Sequence, residues 1–195
     1  DSIRGLRTAQ LQERDSIGIW VANCGHPFRN DVIDALVRTN LNVRSYGPCR
    51  KTPNVEGSLR LDVEGLVPDC RRHRFMLAIE NEVCEDFVGR NLLLALQCGA
   101  IPIVQTVGGI PDYRGLFGPL PMIDVNRRGW LSKLHRLMTD DVHHSRWVRR
   151  RLQRYQSWHA EREANRASPV STTKCCDWFG AAQLRARPIS LGQCY

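Results

Sequence analysis

The sequence predicts one α/β domain built on a mostly parallel sheet. Two observations carry this expectation. Apolar runs of strand length alternate with segments of helical periodicity along most of the chain. The first complete unit reads strand, loop, helix, strand, as in a parallel βαβ crossover. A length of 195 residues allows one domain with a substantial core and is too short for two large ones.

The elements follow in order. SIGIWVAN (16–23) is a buried strand, and CGHPFR after it is turn-forming, with Gly25 and Pro27. RNDVIDALVRTN (29–40) places Val32, Ile33, Leu36 and Val37 on one helical face, with Asn40 as a stop. LNVRSYG (41–47) alternates and reads as a second strand. Residues 48–72 form a polar interlude, a loop with room for a short helix. FMLAIEN (75–81) is the next strand, and EDFVGRNLLLALQCG (85–99) a helix closed by Gly99. AIPIVQ (100–105) is another short buried strand, and the Gly- and Pro-rich 106–121 is loop with turns. MIDV (122–125) is a last short strand. Helices are expected over 128–138 and 140–158, the second opened by Asp140 or Asp141.

Composition removes several classes. With 42% hydrophobic and 25% charged residues the chain is not disordered. No run of about 18 apolar residues exists, so no membrane-spanning helix is expected. The opening stretch DSIRGLRTAQLQERDS lacks a signal-peptide core and an initiator Met, and we read it as starting inside a longer protein. The net charge of +8 is uneven, because residues 143–166 are rich in arginine. Such a run suits nucleic acid, an acidic membrane surface or a phosphate-bearing ligand, and equally a solvated helix face. Trp147, Val148, Leu152, Tyr155 and Trp158 fall on one face of it, which is expected to pack. That placement argues against nucleic acid, which needs aromatics exposed among the basic residues. Eight cysteines include no C-x2-C pair, so a zinc site is not expected. Spread cysteines suit buried thiols or disulfides, and Cys84 and Cys98 read as buried or bridged rather than catalytic. The six histidines form no metal or Ser/His/Asp pattern.

In a parallel α/β sheet, ligand groups come from the loops after the strands. Those loops here are NCGHPFRN, ENEVCEDF and QTVGGIPDY. Arg29 at a helix opening is a candidate phosphate seat, since a guanidinium and free backbone N–H groups both favour an anion. Glu80 and Asn81 offer acceptors and donors together, as sugar hydroxyls need. Gly108 and Gly109 permit close backbone approach. Each has a plainer reading: a surface arginine, a rim ion pair, a turn residue. No G-x-G-x-x-G or Walker A motif is present.

FMLAIENEVCEDFVGRNLLLALQCGAIPIV resembles the signature of the α1,3/α1,4-fucosyltransferases, in which a strand ending in F-E-N leads into D-Y-x-T-E-K, a helix and G-x-V/I-P-V/I. VANCGHPFRNDVIDALVRTNLNVRSYGPC is similar to the family's S-N-C stretch with its following arginine and Y-G-x-C run. PMIDV and LSKLHRLMTDDVHHSRW resemble its F-I-H-V segment and closing helices. The resemblance spans roughly residues 16–158.

The resemblance implies the C-terminal half of a GT-B glycosyltransferase: a Rossmann-like parallel sheet flanked by helices that holds GDP-fucose. It implies a leading linker over 1–15 from a missing N-terminal domain, the donor domain over 16–160 and a cysteine-containing tail over 161–195. The implied chemistry is inverting, α1,3-type transfer of fucose to a glycan or glycoprotein acceptor, with no obligatory cofactor or metal and the base in the N-terminal half. Nucleic acid is not an implied partner. Membrane association would run through an N-terminal anchor outside this sequence, on the lumenal side of the Golgi. By the resemblance Arg29 holds donor phosphate and Asn23 and Asn81 line the donor cleft. Phe87 stands where the family has Tyr. The family trio T-E-K is here Gly89, Arg90 and Asn91, so the glutamate that contacts donor hydroxyls and the lysine that contacts phosphate are both replaced. Arg90 has the reach to serve the phosphate from one position earlier. The alternative is a fucosyltransferase-like binding module without transfer activity. In an oxidising lumen, Cys24 and Cys49, which follow neighbouring strands, are expected to bridge.

Overall fold

The computed structural model describes residues 14–21, 23–46, 70–81 and 87–164. Five strands form one sheet: β1 (Ser16–Ile19), β2 (Asn42–Ser45), β3 (His73–Leu77), β4 (Ile101–Val104) and β5 (Ile123–Asp124). Their spatial order is β2-β1-β3-β4-β5 and every pairing is parallel. Helix α1 (Pro27–Val37) links β1 to β2 and α2 (Arg90–Gln97) links β3 to β4. Helix α3 (Tyr113–Phe117) lies between β4 and β5, and α4 (Trp130–Thr139) and α5 (Asp141–Ala164) close the described chain. This is the expected Rossmann-like class. No helix among the described residues is long and apolar enough to cross a membrane.

Both faces of the sheet are covered, which is why the strands are continuous apolar runs. Ile17 and Ile19 of β1, Phe75 and Leu77 of β3 and Ile101 and Ile103 of β4 point to one face. There they meet Val32, Ile33 and Leu36 of α1, Leu134 and Leu137 of α4 and Val148 of α5. The opposite face carries Trp20, Tyr46, Met76, Leu94 and Ala95, and beside them Ala78, Leu92, Leu96, Val104 and Tyr113. Trp147 and Leu152 of α5 pack partly buried against the first cluster, and Tyr155 against the last.

Several elements differ from the sequence reading. The first strand ends at Ile19 and α1 begins at Pro27, two residues before Arg29. Proline favours the first helical turn because its missing N–H has no partner to lose there. The third strand begins at His73 and ends at Leu77, so Glu80 and Asn81 lie beyond it. A bulge makes this start hard to read: Ser16 pairs with His73 but Ile17 with Phe75, leaving Arg74 as an extra residue. The extra residue breaks the alternation, so Arg74 lies on the same face as Phe75 while His73 lies on the other. His73 is buried between Ser16 Oγ (2.8 Å) and the Tyr46 hydroxyl (2.9 Å). Arg74 reaches the carbonyls of Leu137 and Met138 at the end of α4 and pairs with Asp141 at 2.9 Å.

Helix α2 starts at Arg90, with Phe87, Val88 and Gly89 outside it. Its end is as expected: Gly99 takes φ 63° just past the C-cap and the Ala100 N–H returns to the Ala95 carbonyl at 2.9 Å. A disulfide joins Cys98 to Cys70 beneath this end. The loop expected over 106–121 contains α3, capped by Asp112 through the Gly115 N–H. Asp140 caps α5 by accepting from the His143 N–H at 2.8 Å. Arg14, placed in the leading linker, is buried and donates to the carbonyls of Cys98 and Gly99, both at 2.9 Å. Helix α5 continues to Ala164. Cys24 is disulfide-bonded. Its expected partner Cys49 lies outside the described residues, as does the expected tail over 161–195 apart from its first four residues, which are the end of α5.

Candidate functional site

The strand order reverses direction between β1 and β3, since the chain runs outward from β1 to β2 and then returns past it to β3. Such a switch point leaves a crevice beyond the carboxyl ends of its two strands, because the following loops diverge to opposite faces. Here those loops carry Asn23 after β1 and Glu80–Asn81 after β3.

Arg29 closes the base of this crevice. Its N–H is taken by the cap residue, His26 Nδ1, at 3.1 Å, so α1 does not present that donor to a ligand. Its side chain turns inward and is 3% exposed. The guanidinium donates to Asn81 Oδ1 at 2.5 Å, to the Ile79 carbonyl at 3.5 Å and through Nη2 to the Asn23 carbonyl. One cation therefore ties the β1 loop to the β3 loop. Its Nε is buried with no partner among the described residues. Burial pushes the guanidinium below its ordinary value and the Glu80 charge pulls it back. The β1 loop is braced further by Gly25 N–H to Asn23 Oδ1 (2.9 Å) and Asn30 Nδ2 to the Cys24 carbonyl (2.8 Å).

Glu80 is half-buried and faces the start of α2, where Oε1 accepts from the Gly89 N–H at 2.7 Å. Its carboxylate covers the Gly89 Cα, so a Cβ there would collide with Oε2. Gly89 is the N-cap and has no side chain of its own to cap with. Glu80, nine residues upstream, accepts from the N–H of the N-cap residue itself, as the returning carboxylate of a capping box does. Burial raises its carboxyl to about 7, against the Gly89 hydrogen bond and the Arg29 charge, which both lower it. Arg90 opens α2 and is exposed, and Phe87 is half-buried just before it.

Two features near the crevice were not singled out from the sequence as site residues. Tyr113 is buried and its hydroxyl has no partner among the described residues. Burial raises its phenol, and the Glu80 and Asp124 charges raise it further. Beyond β4 and β5, Thr106 Oγ1 donates to Asp124 Oδ2 at 2.6 Å and Asn126 Nδ2 to the Thr106 carbonyl at 2.5 Å. The available signal was the loop QTVGGIPDY itself, which the strand-end rule marks without saying which side chain turns inward. Gly108 and Gly109 there have φ 62° and 93° and open space where a side chain would stand. Of the six residues expected at the site, the structure links Asn23, Arg29 and Asn81 directly. Glu80 joins them through charge, while Phe87 and Arg90 are placed only as near chain neighbours of Gly89, which Glu80 bonds.

A doubly wound parallel sheet with an arginine-braced polar crevice at its switch point and a helix N-terminus across from it is a Rossmann-like domain of the kind that holds anionic ligands. Comparison narrows this class. Residues 11–187 match the family described as glycosyltransferase family 10 (fucosyltransferase), C-terminal part, and the chain belongs to that family. A fucosyltransferase-like protein of Arabidopsis thaliana is 36% identical over 102 residues, covering 52% of this chain and 18% of its own. GDP-fucose protein O-fucosyltransferase 3 of Homo sapiens is 26% identical over 109 residues, covering 53% and 23%. A crystal structure of an α1,3-fucosyltransferase with GDP superposes with a TM-score of 0.54 at 22% identity, covering 67% of this chain and 36% of that one. The same comparison with GDP-fucose bound gives 0.53. The chain thus spans 18–23% of the length of these curated relatives.

Proposed function

We propose that this chain is the donor-binding half of a fucosyltransferase, and that the crevice between the β1 and β3 loops holds GDP-fucose. The observation that carries the proposal is Arg29, which is buried at the switch point and ties Asn23 to Asn81 opposite the start of α2. Neighbours of the same fold were solved with GDP and with GDP-fucose.

Each residue has a task in this reading. Arg29 fixes the crevice and lends it positive charge. Arg90 and the first N–H groups of α2 receive the diphosphate, where a cation and the helix dipole act together. Asn23 and Asn81 line the cleft, and Phe87 offers an apolar wall. Transfer is inverting and α1,3-type: the acceptor hydroxyl of a glycan or glycoprotein attacks fucose C1 and the C1–O bond to GDP breaks. The rate then depends on stabilising charge on the departing diphosphate, which falls to Arg90 and α2. A base outside this half takes the acceptor's proton. The working site is the lumenal side of the Golgi membrane, where the disulfide of Cys70 and Cys98 is stable.

A second reading, donor binding without transfer, rests on Arg90 and Asn91 standing where the family has glutamate and lysine. Calorimetric titration with GDP, followed by a fucose-transfer assay, separates the two. The donor reading expects saturable one-to-one binding, weakened about tenfold or more by Arg90→Ala, as loss of a charged hydrogen bond entails. Folded protein that does not bind GDP would refute it. Binding with no transfer to any acceptor would favour the second reading.

A further inference from the structure

The crevice already holds an anion of the protein's own. The N-terminus of α2 is the seat at which a diphosphate is stabilised best, and Gly89 leaves it uncapped from within the helix. The Glu80 carboxylate takes one donor of that seat, with Oε1 on the Gly89 N–H at 2.7 Å and Oε2 over the Gly89 Cα. Three groups face Glu80 from the elements packed around it: Arg29 of α1, the Gly89 N–H at the head of α2 and Tyr113 of α3. Of these only Arg29 is a cation, and its guanidinium is spent on the Asn23 and Ile79 carbonyls and Asn81. A diphosphate arriving here adds negative charge beside this carboxylate, and Arg90, the exposed cation at the head of α2, then has two anions to serve.

We propose that Glu80 is a built-in stand-in for the donor's diphosphate, vacating the α2 seat when the donor binds and taking up one proton from solvent as it does so. The inference rests on the donor reading above and deepens it. The protonation is chemically accessible because burial already holds this carboxyl at about 7. The protonated form gives up its claim on the Gly89 N–H, which the carboxylate holds by a charge-assisted bond, and no longer repels phosphate. Raising the pH through 7 therefore weakens donor binding. Glu80 acts as a positioning residue that sets affinity and its pH dependence.

The test is calorimetric titration of GDP into the wild type and Glu80→Gln at pH 6 and pH 8. Glutamine keeps the shape and an acceptor oxygen for Gly89, so the fold is expected to persist. Both proteins experience the ligand's own ionisation, so their affinity ratio isolates Glu80. Relative to Glu80→Gln, wild-type affinity is expected to fall about tenfold from pH 6 to pH 8, the change for one group titrating near 7. Repeating the wild-type titration at pH 7 in buffers of different ionisation enthalpy is expected to show proton uptake, and decides the matter if Glu80→Gln does not fold. An unchanged ratio, weaker binding by Glu80→Gln at both pH values, or no proton uptake would overturn the inference while leaving the donor reading intact. GDP binding by neither protein would overturn both.

Discussion

Arg29→Ala is the perturbation whose cost follows most directly from the structure. The guanidinium is 3% exposed and makes two good hydrogen bonds, to Asn81 Oδ1 and the Asn23 carbonyl, and a marginal one to the Ile79 carbonyl. A hydrogen bond to a charged group contributes about 1.5–3 kcal/mol, so the two good bonds amount to about 3–6 kcal/mol. Two effects offset this. Asn81 is exposed and finds water when Arg29 is gone. The mutant also no longer buries an unpartnered Nε and a desolvated charge. A net loss of about 2–4 kcal/mol is expected, or a fall in Tm of about 4–16 °C for a domain of this size. Arg29→Lys, a point donor that reaches one partner at a time, is expected to lose about half as much. Thermal unfolding followed by circular dichroism measures both. A Tm for Arg29→Ala within 1 °C of wild type would refute the brace, and with it the claim that Arg29 shapes the crevice.

Three further outcomes are expected. Gly89→Ala places a Cβ against Glu80 Oε2 and should destabilise by about 1–3 kcal/mol, while Glu80→Ala in the same chain should recover most of that loss; purely additive denaturation midpoints would contradict the contact. His144 is buried, and burial first and the Arg74 charge second hold it near 4, so between about 6.5 and 4 the unfolded chain binds more protons than the folded one. Stability is therefore present above about 6.5 and lost as the pH falls through that window. His144→Phe should remove about 2 kcal/mol of this acid sensitivity between pH 7 and pH 4.5, read by urea denaturation at the two pH values. The disulfide of Cys70 and Cys98 closes a 28-residue separation, so replacing both with Ser should cost about 3–4 kcal/mol, read as a lower urea midpoint.

The sheet was legible because burial on both faces writes strands as apolar runs, and the last helix because Asp140 and the spacing of Trp147, Val148, Leu152 and Tyr155 announce it. The start of β3 was not, because it opens on the polar His73 and Arg74 where a buried strand should be apolar, and the bulge there breaks the alternation. Helix α3 is too short to show a period within a Gly- and Pro-rich stretch. The site divides the same way. Strand-end loops pointed to Arg29, Glu80 and Asn81, and the family resemblance added Asn23. Whether Arg29 faces water or carbonyls depends on what a loop about fifty residues downstream brings to it, and no local pattern encodes that. The pairing of Glu80 with Gly89 is likewise a tertiary event, since nothing local to Gly89 shows which distant oxygen accepts from its N–H.

A structure of the protein with GDP bound is the most direct measurement. The diphosphate is expected in the crevice beyond β1 and β3, within hydrogen-bonding distance of Arg90 and the first N–H groups of α2, with the Glu80 carboxyl moved off the Gly89 N–H. GDP bound elsewhere on the domain, or a diphosphate out of reach of both Arg90 and α2, would contradict the assignment of this crevice as the donor site.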